Sequence, residues 1–290
     1  MLSGVLGRGR SLDHQLDALN GLAPRDAGFA RALVSQTLRH LGVLETAIRH
    51  FVAKPPPVHK AGPASQILLL GACELLVLNV APHAAVNGAN ALAAKDSKAV
   101  HFKPLINAVL RRIAREGQAV LGGMDRERLS VPGWLWPRWC AQYGEQTVRA
   151  IARAHMQQAS TDIILKPAGT LYPESQALFG QVRRLKEPGP IEDRQGFTEG
   201  HWWVQDAAAT LPVHLLGDVR GRKVIDLCAA PGGKTMQLAA AGADVVAVEA
   251  DAARAGRIRD NLARTQLSAR IIEADAREVE LSAPLVLVDA

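Results

Sequence analysis

Asp226-Leu227-Cys228-Ala229-Ala230-Pro231-Gly232-Gly233-Lys234-Thr235 follows the apolar pair Val224-Ile225 and precedes the helix-compatible Met236-Gln237-Leu238-Ala239-Ala240. This is a strand, a tight turn of small residues and a helix start. Small residues let a ligand approach the backbone, and free N–H groups at a helix N-terminus favour electron-rich groups. Turns of this kind hold nucleotide-like cofactors in doubly wound α/β folds. Downstream the pattern alternates, with strands expected near 223–228, 244–249, 269–273 and 285–289 and helices near 235–241 and 252–264. Such βαβα order predicts a parallel sheet.

Upstream, Thr161 to Lys166 and Trp202-Trp203-Val204 read as strands, and Glu174 to Leu185 reads as an amphipathic helix. A small α+β unit is expected here, with a turn from Gly217 to Arg222 leading into the α/β core. Residues 1 to about 120 read as an all-α bundle of six to seven helices. Phe29, Leu33, Thr37, Leu41, Leu44, Ile48 and Phe51 recur at spacings of three and four, on one helix or on two broken near Gly42. Lys54-Pro55-Pro56-Pro57 ends this element. Ile67 to Val80 is apolar on every side, which suits a buried central helix ended by Ala81-Pro82, and a small-residue helix follows from about Ala84 to Lys95. Lys103-Pro104 opens another helix, with Leu105, Ile106, Val109, Leu110 and Ile113 inward and Lys103, Arg111, Arg112 and Arg115 outward. Gly117 to Pro132, with Gly122-Gly123, reads as a hinge. Trp134, Trp136 and Trp139 could stack on bases, but packing of one domain against the next is the favoured reading. The expected domains are 1–125 (all-α), 126–205 (linker and small α+β unit) and 206–290 (α/β).

The 290 residues allow about two domains. Residues 1–130 carry 16 Lys and Arg against 9 Asp and Glu, whereas residues 131–290 carry 18 against 19. A basic half beside a near-neutral one suggests a polyanion-binding module next to a ligand-binding one, although a merely solvated basic surface would look the same. The longest apolar stretch contains Glu74 and Asn79 and is too short and polar to cross a bilayer, and no secretion signal opens the chain. Cys73, Cys140 and Cys228 are too scattered for a disulfide framework or a zinc site. The expectation is a cytoplasmic protein without membrane or metal, and a monomer.

Three nucleotide-site readings compete for the loop. A P-loop needs a glycine where Cys228 stands, and a dinucleotide fingerprint needs more than the adjacent Gly232-Gly233. An S-adenosylmethionine site fits better. Glu249 ends the next strand, where a ribose would lie, with Asp251 two residues on; a carboxylate accepts bonds from both ribose hydroxyls. Asp275 ends the following strand region, within reach of an adenine amino group, and Asp289 ends the last. One carboxylate at a strand end is commonly a helix cap; four beside this loop suggest a ligand crevice.

The loop resembles the first methyltransferase motif of bacterial ribosomal RNA cytosine-5 methyltransferases of the Sun/Fmu type, the RsmB/NOP family with a NusB-like N-terminal domain. Val204-Gln205-Asp206-Ala207-Ala208-Ala209 resembles the segment introducing that family's catalytic domain. Pro82-His83-Ala84-Ala85-Val86-Asn87 and Leu105-Ile106-Asn107-Ala108-Val109-Leu110-Arg111 resemble NusB-type helices, so the likeness spans nearly the whole chain. It implies that Cys228, Ala229, Ala230, Pro231, Gly232, Gly233 and Lys234 wrap the methionine end of S-adenosylmethionine. It further implies that Glu249 holds the ribose, where the family more often has Asp, that Asp275 meets the adenine, and that Asp289 lies beside the methionine group and the target cytosine. The basic residues Lys103, Arg111, Arg112 and Arg115 become candidates for contact with 16S ribosomal RNA. In the family, Pro-Cys-Ser follows Asp289-Ala290 and a later Thr-Cys pair carries the nucleophile that attacks C6 of cytosine. Neither cysteine stands in this sequence, so no catalytic residue is assigned. A chain cut short before its catalytic residues is therefore expected, inactive by itself and with an open-sided sheet; its start, too, reads like the inside of a first helix. The rival expectation is a NusB-like RNA-binding or scaffold protein with a vestigial cofactor domain.

Overall fold

A computed structural model describes residues 1–52, 58–167, 169–187 and 189–290. The backbone forms two compact units, Met1–Gln158 and Ala159–Ala290. The first is helical throughout its described residues, and the second carries two sheets.

The helical unit runs α1 (Leu2–Arg8), α2 (Leu12–Leu16), α3 (Pro24–Arg39), α4 (Leu41–Phe51), α5 (Val58–Ala61) and α6 (Ala64–Leu76). It continues through α7 (Pro82–Ala94), α8 (Lys103–Gly122), α9 (Arg126–Ser130), α10 (Leu135–Tyr143) and α11 (Glu145–Met156). The 29–51 periodicity is indeed two helices, meeting at His40. The proline run 55–57 and Lys54 lie outside the described residues. Residues 1–120 hold eight α-helices among those described, more than expected, because α2 and α5 are too short to show a period. Helix α6 buries residues on nearly all faces, as its uniform apolarity requires. It ends at Leu76, earlier than Ala81-Pro82 suggested, and the chain turns through Asn79 at φ 52.

Gly117 to Pro132 is a correction: it is not a hinge. Helix α8 continues to Gly122, and Arg126–Ser130 forms α9, capped by the Asp125 carboxylate, which accepts from Arg128 N–H at 3.1 Å. Gly117 is a packing position, since a Cβ there would lie 2.7 Å from Leu76 of α6. Gly71 plays the same part from the other side, where a Cβ would meet Leu110 at 2.6 Å. Two glycines therefore let α6 and α8 approach closely, and their spacing carries no signal of flexibility.

The second unit opens with an antiparallel sheet of β1 (Asp162–Leu165), β2 (Ser175–Phe179), β3 (Val182–Leu185) and β4 (Trp202–Val204) in the order β2-β3-β1-β4. The expected helix over 174–185 is thus a hairpin. Gly180 turns the chain at φ 48 between Phe179 and Val182, which pair directly. Arg184 holds the buried Asp162 carboxylate through two bonds of 2.8 and 3.0 Å, and that guanidinium keeps the Asp162 carboxyl below its ordinary range. A cross-strand ion pair of this kind fixes a register that the alternation alone leaves open.

The parallel sheet follows: α12 (Leu211–Leu215), β5 (Lys223–Leu227), α13 (Gly233–Ala240), β6 (Asp244–Glu249), α14 (Ala252–Thr265), β7 (Arg270–Glu273) and β8 (Leu285–Val288). Strand order is β7-β6-β5-β8, all parallel. The two sheets share a core within this unit, in which Ile164, Val182 and Trp203 pack with Met236, Ile258 and Leu262. Arg264 of α14 also donates to the Phe197 and Trp202 carbonyls.

Strand β8 lies at an edge of this four-stranded sheet, with Val286 48% and Val288 62% exposed. Apolar edge strands template pairing with other chains. The double variant V286K/V288K is therefore expected to self-associate less than the parent in light scattering, with an unchanged circular dichroism spectrum. Equal or greater association would move the liability elsewhere.

Candidate cofactor site

The loop between β5 and α13 is held from three sides. Cys228 takes a left-handed backbone at φ 58 and Gly232 at φ 101; the Ala230-Pro231 peptide is cis. Ala229 N–H donates to the Val248 carbonyl at 3.1 Å, and Gly232 N–H to the Ala229 carbonyl at 2.9 Å. Helix α14 supplies the rest: Arg254 donates to the Ala230 carbonyl at 3.3 Å and Asn261 to the Pro231 carbonyl at 3.0 Å. At Gly232 a Cβ would come within 3.3 Å of Ile258, so conformation and close packing both demand glycine.

In front of this loop is a cavity of about 220 Å3. Its walls are Gln205 and Asp206, the end of β5 at Asp226, the loop residues Cys228–Pro231, Gly233 and Lys234, and Asp289. Lys234 pairs with Asp289 across it. Three carboxylates and one ammonium in one cavity suit a zwitterionic ligand that bears an additional positive charge.

Asp226 is 1% exposed. Burial pushes its carboxyl up to about 6; the Thr235 hydroxyl, which donates to Oδ2 at 2.6 Å, and nearby Lys234 oppose that rise, while Asp289 adds to it. The residue order by itself singles out neither Asp226 nor Gln205 as a site residue. A signal exists for Asp226, as an acid inside the strand Val224-Ile225-Asp226-Leu227 must be buried. Gln205 has no such mark. Its amide accepts from Trp203 Nε1 at 2.9 Å and donates to the Ala209 carbonyl and to Gln237 Oε1, so it is locked beside Gly233.

The four strand-end acids diverge. Asp289 reaches the cavity. Glu249 is buried behind the loop instead: Oε2 accepts from Ala230 N–H at 3.2 Å and Oε1 from Asp251 N–H at 3.1 Å. Asp251 caps α14 by accepting from Arg254 N–H at 2.9 Å. Asp275 stands apart from the cavity lining and is gripped by Arg277, whose guanidinium holds its carboxyl at about 2. The loop, Lys234 and Asp289 thus line one cavity, while the Glu249 and Asp275 carboxylates accept hydrogen bonds from neighbouring protein groups.

In the helical unit, Lys103, Arg111, Arg112 and Arg115 are all exposed. Arg112 lies over the Phe51 ring at 5.0 Å and pairs with Glu116 at 3.6 Å. Arg111 donates to Asn107 at 3.3 Å. None of the three clustered tryptophans is buried. Trp136 has Arg128 and Arg149 over its ring at 5.1 and 5.4 Å, and Trp139 meets His155 edge-on. Among the described residues no helix is long and apolar enough to cross a membrane, and no group of three metal-ligating side chains occurs.

Residues 1–115 match the NusB family, and residues 213–290 match the family described as 16S rRNA methyltransferase RsmB/F. The chain is 35% identical over 299 aligned residues to the ribosomal RNA small subunit methyltransferase B of Pseudomonas putida, covering 96% of this chain and 67% of that protein. The protein of the same description from Citrobacter koseri is 33% identical, with 94% and 67% covered. Among solved structures, PH0851 superposes with a TM-score of 0.70 at 17% identity, covering 94% of this chain and 68% of that one, which shows a shared fold.

Proposed function

The chain belongs to the ribosomal RNA small subunit methyltransferase B family, and from that premise we propose that it holds S-adenosylmethionine in the Asp226–Lys234 cavity for methylation of cytosine C5 in 16S ribosomal RNA. The observation that carries this reading is the cavity itself: a small-residue loop facing Asp206, Asp226, Lys234 and Asp289. S-adenosylmethionine supplies an electrophilic methyl group on a sulfonium. Its methionine end carries an ammonium and a carboxylate, which Asp226 or Asp289 and Lys234 complement. The loop residues Cys228–Gly233 let the ligand lie against backbone. Glu249 acts from behind by fixing Ala230, and Asp275 anchors the turn after β7. We assign RNA holding to 1–125, linkage to 126–205 and cofactor binding to 206–290.

The nucleophile that C5 methylation requires has no candidate among residues 1–290. Cys73 is buried in α6, where burial raises its thiol; Cys140 sits on α10; Cys228 belongs to the cofactor loop. Equilibrium dialysis of these 290 residues with labelled S-adenosylmethionine is expected to show saturable binding, and incubation with 16S ribosomal RNA to transfer no label. Absent binding would remove the cofactor assignment. Label in the RNA would overturn the reading that no nucleophile stands among these 290 residues.

A further inference from the structure

Helices α7 and α8 present two residue pairs at i,i+4 spacing, which places each pair on one helix face. His83 and Asn87 come from α7, Arg111 and Arg115 from α8, and all four line one cavity of about 330 Å3. Pro82, Val86 and Ala114 complete its apolar lining. Among the described residues no acid lines it. Arg111 makes no ion pair among the described residues; its Nε donates to Asn107 Oδ1, which also accepts from Asn90. Arg115, 66% exposed, pairs among the described residues only with Glu116, at a long 3.6 Å. The α7 N-terminus, without a side-chain cap, adds positive potential nearby. Arg112, one residue from Arg111, is turned to Phe51 and is not part of the cavity.

Two guanidinium groups without an acid in the lining select an anion, and their planar forks suit a phosphate. The size and the apolar lining ask for more than a phosphate, since cavities of about 300–1,000 Å3 hold small organic ligands. Arginine planes and a histidine ring stack on unpaired bases, and an asparagine amide can both donate to and accept from a base edge. We propose that this cavity seats one unpaired nucleotide of the RNA strand, its phosphate on Arg111 and Arg115 and its base against Val86 and Ala114, beside Asn87. The proposal rests on the reading of the chain as an enzyme of ribosomal RNA.

The test is fluorescence anisotropy of the 290-residue chain with short unpaired RNA oligonucleotides across a salt series. R111Q/R115Q is expected to weaken binding at least about tenfold and to flatten the salt dependence by about 0.7 for each phosphate that is no longer neutralised. R49Q, which removes an exposed arginine of α4 that pairs with Glu45 and lies outside the cavity, is expected to stay within about twofold of the parent, and N87A to change the ranking of oligonucleotides of different base while keeping the salt slope. All substituted side chains lie on the helix surface, so matching thermal melts show that folding is intact. Equal losses in R49Q and the double variant would reduce the cavity to diffuse surface charge and overturn the proposal. Undiminished binding in the double variant would overturn it while leaving the RNA reading standing. Preferential binding of an acidic peptide would overturn it in favour of a protein partner. Absence of RNA binding by the parent chain would sink both readings.

Discussion

E249A is expected to reduce S-adenosylmethionine binding by roughly 100-fold and to lower the stability of the α/β unit by about 3–4 kcal/mol. The Glu249 carboxylate is buried and joins two backbone segments, accepting from Ala230 N–H in the loop and from Asp251 N–H at the start of α14. Arg254 approaches it at 3.7 Å and also donates to the Ala230 carbonyl. Removing a partner from a buried hydrogen bond costs about 1–3 kcal/mol, and more where a charge is involved. Two such bonds act here, and every 1.4 kcal/mol withheld from the binding-competent loop is a tenfold loss of affinity. E249D separates the roles. Its shorter arm keeps the charge and the neighbouring Asp251 bond but falls short of Ala230 N–H, so binding should drop less than in E249A. Dialysis and thermal melts of the three proteins read this directly. Wild-type affinity in E249A would mean that α14, through Arg254 and Asn261, holds the loop unaided.

The part played by Glu249 lies beyond what the residue order reveals. The loop and its flanking elements are legible because Pro231, Gly232 and Gly233 interrupt an apolar run and restart a helix, and the observed strands of the parallel sheet lie within about a residue of expectation. Helices α3, α4 and α8 of the first unit follow from their 3.6 spacing. The acids are legible as a series but not as individuals. Glu249, Asp251, Asp275 and Asp289 occupy equivalent places at strand ends, yet each is assigned by its nearest donor: loop backbone, helix backbone, Arg277 and Lys234. Those donors are set by packing distances of a few ångströms. The 175–185 hairpin is hidden for a related reason. Its residues suit a helix when taken alone, and the buried Asp162 with its partner Arg184, 22 positions away, makes them a strand pair. Local preference yields to a tertiary partner there, as it does for the supposed hinge that becomes the end of α8 and the whole of α9.

D226N is expected to stabilise the chain above pH 6 by about 2–3 kcal/mol while weakening S-adenosylmethionine binding. Burial raises the Asp226 carboxyl to about 6 from an ordinary 3.8. Between those two values the unfolded chain has already released the proton and the folded chain still binds it, so stability falls as pH rises through this window and stays low above it. Each pH unit of the window is worth about 1.4 kcal/mol. Asparagine carries no charge to desolvate, and its carbonyl oxygen can still accept from the Thr235 hydroxyl. D226A differs, because it strands that hydroxyl and opens a void; it should be less stable than the parent at every pH. The binding loss has the opposite origin: a cationic ligand loses the one carboxylate that the fold keeps buried at the cavity wall. Chemical denaturation of the parent and both variants at pH 4, 6 and 8, with dialysis at pH 8, measures all of this. A D226N curve that tracks the parent at each pH would place the pH dependence on another group. Gained stability with undiminished binding would show that Asp226 shapes the strand end without meeting the ligand. The expected opposition, firmer folding against weaker binding, is the mark of an acid kept in an unfavourable place for the sake of a ligand.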